Sequence, residues 1–185
     1  MRVIGLAGWS GAGKTTLLRK LIPELNGRGL KVSTLKHAHH AFEIDQPGKD
    51  SFEHRAAGAS EVLVASGRRW ALLHELRGEG EPGLGQLLQK LTPVDLVIVE
   101  GFKAHAHPKI EVHRAANGKP FLFGEIPNVR AIAADRPVPN APVPVVRLDD
   151  VITIADHLLA FAEAAESVIA SLEALPAPQR IRSRR

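Results

Sequence analysis

Between Gly8 and Thr16 the chain reads GWSGAGKTT, and Gly8, Gly13, Lys14 and Thr15 fill every fixed position of G-x-x-x-x-G-K-[ST]. These residue types suit one task. Glycines let successive backbone N–H groups converge on phosphate oxygens, an approach that bulk at Gly13 would block, and a helix opening at Lys14 adds the positive end of its dipole. Lys14 can reach β- and γ-phosphates as a point charge. The Thr15 hydroxyl is placed to enter the shell of a Mg²⁺ ion otherwise held by phosphate oxygens, water and an acid, and Thr16 adds a contact at the α-phosphate. Trp9, Ser10, Gly11 and Ala12 form the rest of the cradle.

The acid is expected at the end of a neighbouring buried strand. DLVIVEG offers Glu100 there, as a ligand on the metal side or an orienter of water, whereas Asp95 begins the same strand and faces the other rim. In the loop AHHAFEIDQPGKD, Asp45 and Asp50 are further catalytic candidates for the metal or for water, set against ordinary solvation or helix capping. His37, His39, His40, His105 and His107 raise the idea of an imidazole-held metal, but neither cluster has the spacing of a closed site.

These residues need a scaffold, and the hydrophobic pattern supplies one. Arg2–Ala7 reads as a strand, KTTLLRKLIPEL as a helix and KVSTLKH as a second strand. SFEHRAAGA reads as a short helix capped by Ser51, and EVLVAS and RWALLHEL as strands turning at Gly67. GLGQLLQKL is helical, and DLVIVEG is apolar enough to be buried on both faces. KIEVHRA, KPFLF and VRAIAAD add strands, a proline-rich connector leads to one more short strand, and from Asp149 a single helix of more than twenty residues is expected up to Pro176. The alternation predicts a three-layer α/β domain with a mostly parallel sheet over residues 1–162, followed by a helix end and basic tail over 163–185.

Composition narrows the classes. With 185 residues and 44% hydrophobic content the chain is long enough for one ordinary core. It has no cysteine, so disulfides and thiolate metal sites are excluded, and no apolar run approaches the ~18 residues of a membrane span. A soluble cytoplasmic protein is expected. The net charge of +4 equals the four arginines Arg180, Arg182, Arg184 and Arg185, leaving 20 basic against 20 acidic residues elsewhere. A neutral body with few aromatics argues against a nucleic-acid module, and the tail reads as solvated or as a docking segment.

Taken together, GWSGAGKTTL, LKHAHH, DQPGKDSFEHRAAGA and DLVIVEGFK resemble the molybdopterin-guanine dinucleotide biosynthesis protein B (MobB) family of P-loop GTP-binding proteins. The resemblance implies a P-loop NTPase fold and a GTP-binding accessory protein with weak GTPase activity and Mg²⁺. It implies a place in molybdenum cofactor biosynthesis beside the MobA-type guanylyltransferase that attaches GMP to molybdopterin. It also implies a homodimer, with molybdopterin or its guanine dinucleotide as a further ligand. Position by position, it maps the phosphate loop to Gly8–Thr16, the acid to Glu100, and loop elements to Lys36, His37, Asp45, Gly48, Asp50 and Arg55. Lys103 sits where it could touch phosphate or the partner's substrate.

No N-K-x-D signature is present to read guanine. Asp135, ending VRAIAAD, is the substitute: its carboxylate could accept from guanine N1 and N2, which adenine cannot donate, although a turn aspartate before Arg136-Pro137 is the plainer reading. Two alternatives use the same loop. A metal-delivery GTPase would recruit the histidines. A small-molecule kinase would share Lys14, Thr15 and Glu100 but usually adds an arginine-bearing lid, for which only Arg55, Arg68 and Arg69 stand as candidates.

Overall fold

Residue types along β5 (Leu96–Glu100) explain the centre of the fold: Leu96, Val97, Ile98 and Val99 are all buried, so both faces of this strand need cover. The structure is a computed structural model that describes residues 1–38 and 42–174. β5 lies beside β1 (Arg2–Ala7) in a sheet ordered β2-β5-β1-β6-β7-β8, with β2 at Val32–Lys36, β6 at Lys109–His113, β7 at Val129–Ala134 and β8 at Val145–Arg147. Every neighbouring pair along that order is parallel. A seventh strand, β9 (Glu163–Ala164), runs antiparallel to β1.

The twofold alternation of side chains sorts the cover. Ile4, Leu6 and Ile98 pack with Leu17, Leu18, Leu21 and Leu25 of α1 (Lys14–Gly27) and with Ile154, Ala155 and Leu158 of α4 (Val151–Phe161). Val3, Val97 and Val99 pack instead with Leu84 and Leu88 of α3 (Leu84–Gln89) and Ala165 and Val168 of α5 (Ala165–Glu173). The result is the expected three-layer α/β architecture of a P-loop NTPase, with a mostly parallel central sheet. Among the described residues no helix is long and apolar enough to cross a membrane.

Three expectations need correction. The helix expected from Asp149 to Pro176 is two helices, because Ala162 turns extended (φ −65°, ψ 133°) and Glu163–Ala164 pair with Val3 and Arg2. The cause lies at the other end of the sequence: the Arg2 guanidinium donates to the carbonyls of Leu159 and Ala162, the groups that a continuing helix would use. Met1 O then accepts from Ala165 N at 3.0 Å. KPFLF is not a strand. The N–H groups of Leu122 and Phe123 donate to the Glu111 carboxylate at 2.7 and 2.9 Å. Finally, α2 (Asp50–Ala56) starts after Lys49, so Ser51 lies inside its first turn with its hydroxyl donating to Asp45. Pro176 and the four tail arginines lie outside the described residues.

β6 is the polar member of the sheet. Ile110 and Val112 join the core shared with α1, while Lys109, Glu111 and His113 point to the other face and are all buried. Loops cover them there. Lys109 Nζ donates to the carbonyls of His105, His107 and Pro127 at 2.6, 2.7 and 2.8 Å, and a ring nitrogen of His113 lies 3.0 Å from the Lys119 carbonyl. Burial draws the Lys109 ammonium down to about 7 and pushes the Glu111 carboxyl up to about 7.

The chain forms two compact units, Met1–His37 with Leu84–Arg185, and Ala38–Gly83. The second contains α2 and the hairpin of β3 (Glu61–Ala65) with β4 (Trp70–His74). Val62 of the hairpin is buried, while Leu63, Leu72 and Trp70 share the other face and are 61%, 47% and 66% exposed. Arg55 of α2 ties this unit together through Glu43 at 2.9 Å and Glu75 at 2.8 Å.

Candidate functional site

The loop between β1 and α1 has the conformation its glycines require. Gly13 is left-handed (φ +96°) immediately before α1. At Gly8 a Cβ would fall 2.5 Å from the Val112 carbonyl oxygen. No side chain caps α1, so the N–H groups of its first turn face whatever lies in the loop, the arrangement that holds phosphate. Lys14 Nζ donates to Gly8 O at 2.9 Å and Trp9 O at 3.0 Å, which folds the lysine over the cradle. Burial lowers its pKa, Glu100 opposes that shift, and the nearby charges of Lys103 and Lys36 reinforce it.

Glu100 meets this loop as its strand position demands. It ends β5 in register with Leu6 of β1 and Lys36 of β2, at the rim from which the phosphate loop springs. Thr15 Oγ1 lies 3.4 Å from Glu100 Oε1, so a hydroxyl and a carboxylate present two hard oxygen ligands side by side. That donor set fits Mg²⁺. Gly101 and Phe102 follow with positive φ (103° and 48°), and a Cβ on Gly101 would lie 2.7 Å from that of His37. This turn buries Phe102 against the rings of His37 and His105 and returns the chain so that Lys103 Nζ sits 4.2 Å from the centre of the Trp9 ring.

On the other side of the loop lies a cleft of about 570 Å³, lined by Gly13, Thr16, Lys20, Arg114, Asp135 and Arg136 among others. Asp135 directly follows β7, and its Oδ1 accepts from Ala115 N at 2.8 Å. Sequence reading missed the segment this bond fixes. Arg114 Nη2 would be 3.4 Å from a Cβ on Gly13, and Asn117 Nδ2 donates to Ser10 O at 2.9 Å. Asn117 thus braces the phosphate loop and Arg114 lies beside it, each from about a hundred residues away, and only their place just after a buried strand could have drawn notice.

Two candidates lie in the other unit. Asp45 spends Oδ1 on Gln46 N and the Ser51 hydroxyl, with Oδ2 3.8 Å from Arg55 Nε, which is the work of a loop cap. Asp50 is exposed at the start of α2. His39 and His40 lie outside the described residues. Burial holds His107 well below the usual histidine range, and among the described residues no three His, Asp or Glu side chains gather as a metal group.

Comparison with known proteins gives the family and the fold. The family model for molybdopterin guanine dinucleotide synthesis protein B matches residues 3–135. The molybdopterin-guanine dinucleotide biosynthesis adapter protein of Escherichia coli (strain K12) is 42% identical over 160 residues, 85% of this chain and 91% of that protein. The adapter protein of the same description from Haemophilus influenzae is 47% identical over 120 residues, 64% of this chain and 66% of that protein. A crystal structure of molybdopterin-guanine biosynthesis protein B aligns with a TM-score of 0.66 and 26% identity, covering 85% of this chain and 98% of that one.

Proposed function

Because this chain belongs to the molybdopterin guanine dinucleotide synthesis protein B family, we propose that it is a GTP-binding adapter in the biosynthesis of molybdopterin guanine dinucleotide, with weak GTPase activity. The observation that carries the nucleotide half of this reading is the Thr15–Glu100 pair beside an uncapped α1 and a lysine already folded over the loop. In this reading the backbone N–H groups of Gly11–Thr16 and Lys14 hold the phosphates. Thr15 and Glu100 would hold Mg²⁺, which when bound would neutralise charge on the nucleotide's phosphates. Glu100 also orders the attacking water. The nucleoside lies in the cleft, where the remaining oxygen of Asp135 accepts from guanine; Oδ1 is used by Ala115 N.

The adapter half rests on the relatives' descriptions as adapter proteins of molybdopterin-guanine dinucleotide biosynthesis; the partners in this reading are a MobA-type guanylyltransferase and molybdopterin. A homodimer is supported by the exposed apolar face of Leu63, Leu72 and Trp70, a surface that water disfavours and a second copy can cover. A calorimetric titration with GTP and then ATP, with and without the guanylyltransferase, tests the whole. The expected result is Mg²⁺-dependent binding of GTP in preference to ATP and a ternary complex with the enzyme. No nucleotide binding, or no association with the guanylyltransferase, would remove the corresponding half.

A further inference from the structure

Trp9 holds two cations at once. Its carbonyl accepts from Lys14 Nζ at 3.0 Å, and its ring carries Lys103 Nζ at 4.2 Å. The indole is itself fixed, since Nε1 donates to Pro120 O at 2.8 Å and the Pro120 loop hangs from the buried Glu111 carboxylate. With Lys36 at the end of β2, three ammonium groups thus border a rim where Glu100 supplies a carboxylate beside Thr15 and Glu125 lies near enough to Lys103 to favour its charge. This excess of positive charge suits a polyphosphate.

The position of the cleft gives the polyphosphate a direction. The nucleoside end belongs beside Gly13, Thr16 and Asp135, so successive phosphates run through the loop and the last one emerges toward Glu100 and the segment that follows it. Lys103 stands on that segment, three residues beyond the acid. Its pivot is anchored, because the left-handed pair Gly101–Phe102 is clamped by His37 and by the rings around Phe102. The four-carbon stem of Lys103 is then the part free to change partner. A cation on an indole face is held more weakly than one hydrogen-bonded to a phosphate oxygen.

Resting on the nucleotide reading above, we infer that Lys103 is the residue that tells a nucleoside triphosphate from a diphosphate, leaving the face of Trp9 for the terminal phosphate when one is present. The exchange is non-covalent. A diphosphate ends inside the loop, engages Lys14 and leaves Lys103 on the indole. Trp9 therefore reports the state of the terminal phosphate, and the segment that begins at Gly101 is where that state reaches the surface.

The chain has two tryptophans, so Trp70→Phe leaves Trp9 as the sole indole. In that background, titration with Mg²⁺ and a non-hydrolysable GTP analogue is expected to change Trp9 emission, and titration with GDP to leave it nearly unchanged. Adding Lys103→Gln is expected to abolish the response and cut the preference for triphosphate over diphosphate roughly tenfold, with GDP affinity held within about twofold. Equal emission changes with the two nucleotides, or an unaltered preference in the Lys103→Gln protein, would overturn the role of Lys103. Failure of the parent protein to bind either nucleotide would instead overturn the nucleotide reading beneath it.

Discussion

Lys14 spends its ammonium on two loop carbonyls, so replacing it removes a ligand for phosphate and little buried apolar area. Lys14→Ala is expected to keep the native circular dichroism while weakening GTP binding by at least about tenfold in calorimetry, the loss of one charged hydrogen-bond donor. Glu100→Gln should behave differently: turnover falls at least about tenfold, while nucleotide affinity, carried by the loop and Lys14, falls much less. Single-turnover hydrolysis compared with equilibrium binding separates the two. Glu111 sets a pH dependence, because burial raises its carboxyl from 4.5 to about 7. Between those values the folded protein keeps a proton that the unfolded chain has lost, so the stability present below pH 4.5 is lost as pH rises through 7. Unfolding free energies from urea titrations should fall across this window in wild type and fall less in Glu111→Gln, by up to about 3 kcal/mol. The phosphate loop was legible because its residues are contiguous and their chemistry is local. Arg114, Asn117, Lys109 and Glu111 were not, since each acts on backbone or loop atoms that only the folded sheet brings near.

Among the elements, the strands were legible from apolar runs and the first helix from its leucine spacing. Failures came where a distant side chain overrode a good local pattern. LLAFAEAAES is composed largely of helix formers, and nothing within it announces a stop; Arg2 imposes one by taking the carbonyls of Leu159 and Ala162. Arg2→Ala should therefore lower stability by about 1–2 kcal/mol, as loosened α4 and β9 lose their ties to β1, and leave GTP affinity unchanged. Denaturant melts and nucleotide titrations on the same protein check both parts. KPFLF has the composition of a strand, but Glu111 supplies acceptors for its N–H groups and no neighbouring strand is needed.

For the whole molecule, the sequence pattern gave no sign that Ala38–Gly83 forms its own compact unit, because its hairpin continues the same alternation as the main sheet. Its apolar face nevertheless follows from register: Leu63 lies opposite Leu72, and Ala65 opposite Trp70. Introducing Leu63→Glu with Leu72→Glu places two like charges across from one another on that face. If this face joins two copies, sedimentation velocity should move from dimer to monomer while each protomer still binds GTP. The order in which the chain is made carries another consequence of the shared edge of β1. Arg2–Ala7 leave the ribosome well before their partners, which are Leu96–Glu100, then Lys109–Glu111, and last Glu163–Ala164. Closing such long loops is entropically costly and slow. The phosphate loop is thus translated before the strands that flank it, and a nucleotide can favour the folded state only once those strands have emerged.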